Sequence, residues 1–438
     1  MASEVVCVEQ GQVAALHEET SDCSSQFGCL YESPPLNVQT LLRYCNVLAL
    51  IFLISSAITF GSSAYTGQGS MLDAVLVMVD VMTIDISSAL FVTAGLAATV
   101  LYVGATAASH HLLVRASVMS MCVDMGLATV AAILLGSLHA LLMQDFKWAD
   151  VGFTLLEGLT TLRGFDFQQA ASAPHSYNVA AWPVQSLVWC LISTKSVYEF
   201  DERIVARFPA LCDVIISLMV LFGIVLFTVF GPMQASSNIF YANACSVTYH
   251  SMEFNLGIHL VFMHQRHPAL AAVLRRLVGK AQYFIMLFFA TVWWSEVGRP
   301  VTHTTQTTCL RLYYRNPCLL DHHAFFVRGC LIAVVLLLAT DTAAHAHLDR
   351  EMRLVQITSS AMVFCWPVCI AVKLVLDVTF GSVVIAASRA VVAVLCVSIL
   401  LLLSFLYNTL LQPSLIKVLV RRLTPPAPPP DSPDTPPP

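Results

Sequence analysis

Apolar stretches of about twenty residues recur along this chain, separated by short loops that are charged or contain Pro or Gly. The run from Leu211 to Phe230 is the cleanest case, and the run from Tyr44 to Phe60 is another. A helix needs roughly 20 residues to cross the ~30 Å hydrocarbon core of a membrane. Only 11% of the residues are charged, against about 25% in soluble domains, and the mean hydropathy is +0.74. The pattern predicts an all-α, polytopic transmembrane helical bundle.

The apolar runs predict about ten spans, so we expect an integral, multi-pass protein surrounded by the lipid bilayer. In chain order the spans lie near residues 44–60, 86–106, 116–142, 178–194, 210–231, 240–264, 281–296, 325–341, 356–376 and 382–411. The segment from Gly152 to Phe165 is amphipathic, which is typical of an interfacial or re-entrant helix. We find no internal repeat, which disfavours a transporter built from two related halves.

The distribution of Lys and Arg predicts the orientation, because cytoplasmic loops of membrane proteins carry an excess of positive charge. With the N-terminus inside, fourteen Lys and Arg fall in the predicted cytoplasmic segments and five in the outer segments. Both termini are therefore predicted to be cytoplasmic. The first forty residues are polar and acidic, which argues against a cleavable signal peptide.

The chain divides into three predicted parts. Residues 1–40 form an acidic cytoplasmic segment, residues 41–423 the transmembrane bundle, and residues 424–438 a Pro-rich cytoplasmic tail. The tail has no large apolar residues to bury, so we expect it to be disordered. It either docks a protein partner that reads proline-rich segments or acts as a solubilising tail. The net charge of −5 argues against nucleic-acid binding.

Most of the fourteen cysteines lie within apolar runs, where Cys behaves as a small hydrophobic residue. Cys309 and Cys318 instead flank a polar loop that is predicted to face outward. In an oxidising compartment two such residues can form a local disulfide. The alternative is two free thiols.

Ionisable residues inside apolar spans are costly and therefore mark candidate functional sites. Those in or beside the predicted spans are Asp80, Asp85, Asp124, Asp213 and Glu253. Lys373 and Asp377 are four residues apart on a predicted helix, so they are expected to neutralise each other as a structural pair. Two histidine pairs at predicted helix ends are expected to be solvated: His110 with His111, and His322 with His323.

Glu253 follows His250 by three residues, so the two side chains share a helical face. Such a pair can act as a hydrogen-bonded acid and base, or it can bind a metal ion, for which His259 is a weak further ligand. The alternative is a neutralised polar pair that holds two helices together. We assign no metal site, and we find no nucleotide-binding loop or serine-elbow motif.

Five segments, taken in order, resemble the acyltransferase-3 family of integral-membrane O-acyltransferases. They are LLRYCNVLALIFLISSA, TIDISSALFVTAGLAATVLY, HSMEFNLGIHL, SSAMVFCWPVCIAV and LLLSFLYNTLLQPSLIKVLVRRL. The resemblance extends from about Leu41 to Leu423 and is compatible with ten spans and cytoplasmic termini. Of that family's polar and glycine signature, the chain retains Arg43, Asp85, Gly95, Glu253, Phe254 and Gly257.

The resemblance implies transfer of an acyl group from acyl-CoA to a glycan or lipid hydroxyl, without a bound cofactor. Arg43 and Asp85 would then bind substrate, with Arg43 at a phosphate of the donor. His250 and Glu253 would form the catalytic centre, where a base removes the proton of the acceptor hydroxyl.

The chain departs from the family at positions that carry its chemistry. Ile54 and Ser55 stand where the first catalytic His is expected, and Cys365 replaces the His of the His-x-Pro span. Ala94 replaces a Ser, and His250 replaces an Arg. The chain is therefore either a divergent O-acyltransferase or a relative that has lost the chemistry.

A membrane carrier or channel is the alternative, because buried carboxylates are what proton- or cation-coupled carriers use. A third hypothesis is a structural multi-pass membrane protein that acts through partners. Convergence of Arg43, His250 and Glu253 on one cavity open to the cytoplasm would favour acyl transfer. A continuous path lined by carboxylates would favour transport.

Overall fold

The computed structural model describes residues 36–62, 83–103, 107–142, 144–160, 177–178, 181–200, 203–204, 207–211, 213–214, 247–267, 269, 272–273, 276, 348–380 and 389–415. These residues are almost entirely helical and include no strand. The helices are α1 (Val38–Ser62), α2 (Thr83–Val103), α3 (Ala107–Leu142), α4 (Trp148–Thr160), α5 (Trp182–Phe200), α6 (Val247–Arg266), α7 (Leu348–Phe380) and α8 (Arg389–Leu406). A π-helical turn, Tyr407–Leu411, continues α8.

The predicted helical fold class is confirmed for this part of the chain. Seven of the ten predicted spans coincide with α1, α2, α3, α5, α6, α7 and α8, and the amphipathic segment coincides with α4. The predicted spans 210–231, 281–296 and 325–341 lie wholly or almost wholly outside the described residues. The count of ten spans therefore stays a prediction.

Three segments are long and apolar enough to cross a membrane: Ser117–Leu142 in α3, Arg350–Leu376 in α7, and Val392–Leu415, which includes the π-turn. In an apolar stretch of 18 residues within each segment, 56% of the residues are buried in α7, against 33% in α3 and 22% in the last segment. Among these three described segments, the α7 segment is therefore the most enclosed and the last segment the most exposed. Their outward side chains are large and apolar, such as Val130, Leu134, Leu402 and Leu410. Such surfaces suit lipid rather than water.

Helix α4 has the opposite polarity to a surface helix of a soluble protein. Its buried side chains are polar: Asp150, Thr154 and Glu157. Its most exposed side chains are apolar: Trp148, Leu156 and Leu159. In water this arrangement would expose the apolar side chains to solvent, which is unfavourable, whereas in a bilayer the same side chains contact lipid. Together with the three long apolar segments, α4 indicates association with a membrane.

Two glycines bring α2 and α6 into backbone contact. A Cβ atom at Gly95 would clash with the carbonyl oxygen of Phe254, and a Cβ at Gly257 would clash with that of Val92. Both positions therefore require glycine. In lipid, where apolar helices gain nothing by leaving solvent, close packing of small residues is a main source of helix association.

Pairs of contacts fix the directions of α1, α3, α7 and α8. Arg43 of α1 bonds to Glu351 of α7, and Asn46, further along α1, accepts from Thr358, further along α7. Helices α1 and α7 therefore run parallel.

Helix α8 runs antiparallel to α3 and α7. Tyr407 bonds to Asp124 of α3, and Gln412, further along the last segment, bonds to Ser120, earlier in α3. Tyr407 also contacts the ring of Phe364 in α7, and Asn408 contacts Ser360, earlier in α7. Helices α3 and α7 are therefore parallel to each other.

The C-terminal ends of α2, α5 and α6 meet at one level. Tyr198 of α5 stacks on Tyr102 of α2 with ring centroids 4.1 Å apart, and it contacts Phe262 of α6 edge-on at 6.4 Å. Leu41, near the start of α1, shares an apolar cluster with Leu96 of α2. These three helices therefore run antiparallel to α1.

We expect Gly95→Ala to destabilise the protein, because the new methyl group forces α2 and α6 apart. Overpacking of this kind typically costs about 1–3 kcal/mol, so the midpoint of thermal unfolding in detergent should fall. Gly126→Ala on α3 is the matched control, since a Cβ there meets no atom within 4 Å. Ala is a better helix former than Gly, so this control should unfold at the same or a higher temperature. Equal midpoints for both variants would contradict the glycine contact.

Candidate functional site

The most buried hydrogen-bonded carboxylate in the long apolar segments is Asp124, whose residue is 1% exposed. The hydroxyl of Ser360 donates to its Oδ2 at 2.6 Å. The hydroxyl of Tyr407 and the amide Nε2 of Gln412 both donate to its Oδ1, at 2.8 and 2.9 Å. Three described donors from two other apolar segments therefore converge on one acid.

A second layer of polar groups supports these donors. The Nε2 of Gln412 also donates to the hydroxyl of Ser120, one turn before Asp124, at 2.7 Å. The side chain of Asn408 donates to the carbonyl of Ser404 at 2.7 Å and presents its Oδ1 at 3.5 Å from the hydroxyl of Ser360. We call Asp124, Ser120, Ser360, Tyr407, Asn408 and Gln412 the Asp124 cluster.

The π-turn explains how two residues of the last segment reach the same acid. In an α-helix, residues five apart point about 140° away from each other, so Tyr407 and Gln412 would face different directions. Here the backbone N–H of Gln412 bonds to the carbonyl of Tyr407, five residues earlier, which brings both side chains to one face. Pro413 follows directly, and its ring and missing N–H disfavour regular α-helical bonding in the preceding turn.

The chemistry of the Asp124 cluster follows from its burial. Burial in an apolar bundle disfavours the charged form of a carboxylate, and the three hydrogen-bond donors offset part of that cost. The surrounding hydroxyl and amide oxygens can also accept a hydrogen bond from the protonated carboxyl group or contact a small cation. The arrangement is therefore suited to holding one positive charge inside the bundle.

His250 and Glu253 form the predicted pair. The Nδ1 of His250 lies 2.8 Å from the Oε2 of Glu253, and His250 is fully buried while the Glu253 side chain is 14% exposed. The imidazole packs against Phe91 and Trp182, with ring centroids 4.3 and 5.0 Å away, and those two rings lie 6.3 Å from each other. The predicted helical proximity is therefore present, and the imidazole is buried in an aromatic cluster.

Arg43 lies away from the His250–Glu253 pair. Its Nε donates to the carboxylate of Glu351 at 2.8 Å. The α1 residue that contacts the His250 stack is Phe52, whose ring lies 5.8 Å from that of Trp182. Phe52 follows Arg43 by nine residues, or about 13 Å along the helix. Arg43 therefore lies at a different level of the bundle from His250 and Glu253, and the structure brings only the latter two together.

Other predicted residues have different surroundings or are not described. Asp213 bonds to Arg266 and His267, each at 2.8 Å. The side chains of Asp85, His110, His111 and Asp377 are not among those described, although their backbones lie in helices, so the predicted pairing of Asp377 with Lys373 remains a prediction. The remaining predicted residues and segments lie outside the described residues: Asp80, Cys309, Cys318, His322, His323, the N-terminal segment 1–35 and the Pro-rich tail.

Among described side chains, no group of three His, Cys, Asp or Glu residues is arranged to hold a metal ion.

No protein-family model, curated protein or solved structure matches this chain. The resemblance to acyltransferase-3 enzymes therefore stays a prediction from sequence patterns. The glycines it singled out, Gly95 and Gly257, do meet at the crossing of α2 and α6. That contact explains both residues by helix packing, without reference to a reaction.

We expect Ser360→Ala to destabilise the bundle, because Asp124 loses its shortest hydrogen bond. A hydrogen bond to a charged group is worth about 1.5–3 kcal/mol, so the midpoint of thermal unfolding in detergent should fall by several degrees. Ser359→Ala is the matched control: Ser359 is also buried, but its hydroxyl donates only to Gln356 of its own helix. If the two variants unfold together, Ser360 does not stabilise Asp124.

Proposed function

We propose that this protein is a multi-pass membrane carrier that moves a proton or a small monovalent cation, with Asp124 as the group that binds it. The observation that carries the proposal is the buried Asp124, held by hydroxyl and amide groups from two other apolar segments. An ionisable residue at such a position is conventionally a sign of an ion or proton pathway.

The directions of the helices are compatible with ten crossings and with termini on the same side of the membrane, which the Lys and Arg distribution predicts to be the cytoplasmic side. Helices α1, α3 and α7 correspond to the first, third and ninth predicted spans, and they run in one direction. Helices α2, α5, α6 and α8 correspond to the second, fourth, sixth and tenth, and contacts at their ends make them run in the other. Odd and even spans must alternate in this way if each predicted span crosses once.

Binding at Asp124 changes the charge of the site and therefore its hydrogen bonds. When the carboxylate is charged, it accepts from Ser360, Tyr407 and Gln412. When a proton or cation neutralises it, those donors lose part of their attraction, and the hydroxyls can turn to other acceptors such as Asn408. Asp124 lies seven residues after Ser117, or about 10 Å from that end of the segment, which is the cytoplasmic end in the proposed topology.

We expect purified protein in liposomes to exchange protons for sodium or potassium. An imposed Na⁺ or K⁺ gradient should change the internal pH reported by an encapsulated fluorescent dye. Asp124→Asn should abolish this change, because the amide keeps the shape of the carboxylate but cannot take up a proton or neutralise a cation.

Asp145→Asn is the control for the loss of one carboxylate, since the Asp145 side chain is 74% exposed in a loop. It should exchange ions at the wild-type rate. Undiminished exchange by Asp124→Asn contradicts the role of Asp124. The absence of exchange with either cation contradicts the carrier proposal as a whole.

Acyl transfer is the second candidate, favoured by the 2.8 Å contact between His250 and Glu253. Glu253 would orient His250 as the base that removes the proton of a glycan or lipid hydroxyl, and acyl-CoA would be the donor. His250 is fully buried against Phe91 and Trp182, which leaves little room for a substrate beside it. Arg43, the residue expected to hold the donor, bonds to Glu351 at a different level of the bundle. We therefore rank acyl transfer second.

For this second candidate we expect purified protein to transfer label from acetyl-CoA to a mixture of glycan acceptors. Glu253→Gln should reduce the rate by about 10²-fold or more if the pair acts as a general base. Glu199→Gln, an exposed carboxylate on α5, should have no effect. Acyl transfer is excluded if no label is transferred and donor binding is the same in wild type and Arg43→Ala.

A further inference from the structure

A narrow polar cleft lies where the inner face of α4 meets α3 and the start of α5. Its polar lining consists of Thr129, Thr154, Glu157, Asn178 and Gln185. All five residues are buried. The cleft does not include the Asp124 cluster, although Met125, the next residue on α3, forms part of its wall.

Gln185 presents a polar atom to this cleft that no described residue satisfies. The residue is 3% exposed, and its Oε1 is buried without a hydrogen-bond partner in the described part of the chain. Its Nε2 makes a long contact of 3.5 Å with the backbone oxygen of Glu157. A buried acceptor without a donor is unfavourable. A ligand that carries a hydrogen-bond donor would satisfy Oε1 of Gln185.

The described charged residues on the inner face of α4 are acidic: Asp150 and Glu157 both lie on its buried face. Lys147, in the loop before α4, is exposed and bonded to Asp145 at 3.1 Å. Burial raises the pKa of Tyr177 above its usual value, and the charges of Asp150 and Asp145 raise this pKa further. The same negative field attracts cations.

We propose that the cleft binds a small cation with N–H donors, of the ammonium or primary alkylammonium class. One N–H would donate to Oε1 of Gln185, and others to the hydroxyl oxygens of Thr129 and Thr154, while the carboxylate of Glu157 offsets the charge. This proposal rests on the proposed carrier function, because it gives the carrier a second cation site, separate from Asp124, that takes cations of the ammonium class.

The position of the cleft relates it to Asp124. Met125 and Thr129 line it from α3, so one helix carries both the cleft and the carboxylate. The gaps between the lining side chains are narrower than a water molecule. A ligand therefore enters only when α4 moves away from α3, and the apolar outer face of α4 allows that movement within lipid.

Binding is tested on the detergent-solubilised full-length protein, without transport. Methylammonium chloride is titrated while tryptophan fluorescence is recorded, since Trp182 lies one turn before Gln185. Choline chloride at the same ionic strength is the reference, because choline has no N–H donor. We expect a saturable change with methylammonium that choline does not produce.

Two substitutions of Gln185 separate binding from folding. Gln185→Leu removes the acceptor and should weaken methylammonium binding by about tenfold or more. Gln185→Glu adds a negative charge and should tighten binding, which a purely structural role for Gln185 does not explain. Ser193→Ala, on the same helix, removes a hydroxyl that donates within its own helix, and it should bind as wild type does.

The proposal is overturned if wild type responds equally to methylammonium and choline, or if neither Gln185 variant changes the affinity. Its failure is distinguishable from that of the carrier proposal. If the protein exchanges protons for sodium but does not bind methylammonium, only the proposal of an ammonium site in the cleft is overturned. If it binds methylammonium but exchanges no ions, only the carrier proposal is overturned.

Discussion

Hydrocarbon supplies no hydrogen-bond partners, so each polar atom that enters the bundle must be satisfied by the protein itself. The surroundings of the buried Asp124 show this constraint most clearly. One carboxylate requires donors from two other apolar segments, and those donors fix where α3, α7 and the end of α8 meet. The polar face of α4 turns inward for the same reason. Isolated hydroxyls instead bond to their own helix, as Thr93 does with the carbonyl of Ala89.

Two of the titratable sites in the described bundle are built on different principles. His250 packs against the aromatic rings of Phe91 and Trp182, and its bond to Glu253 lies within its own helix. That arrangement fills space where α2, α5 and α6 meet. Asp124 is instead enclosed by hydroxyl and amide groups from separate helices, each of which can reorient when the charge changes. A change of charge at Asp124 therefore affects more than one helix, which is why we favour Asp124 as the functional group.

The helices could be predicted from the sequence because a run of apolar residues is a local property. The same is true of α4, whose amphipathic pattern predicted a helix at 152–165 where the structure has Trp148–Thr160. The partners of Asp124 could not be predicted, since Ser360 is 236 residues away and Gln412 is 288 residues away. Nor could the pairing of Arg43 with Glu351, which are 308 residues apart. Pro413 was the one local signal, because a proline near the end of an apolar helix indicates altered bonding in the preceding turn.

The distribution of close contacts indicates where this bundle can change shape. The crossing of α2 and α6 has backbone against backbone at Gly95 and Gly257, so neither helix can approach or rotate without a clash. The last segment differs, because its π-turn holds Tyr407 and Gln412 on one face only while the i→i+5 bond persists. Return to α-helical bonding would swing one of them away from Asp124. A carrier needs one rigid part and one part with two arrangements, and in this protein the glycine crossing and the π-turn are suited to those two roles.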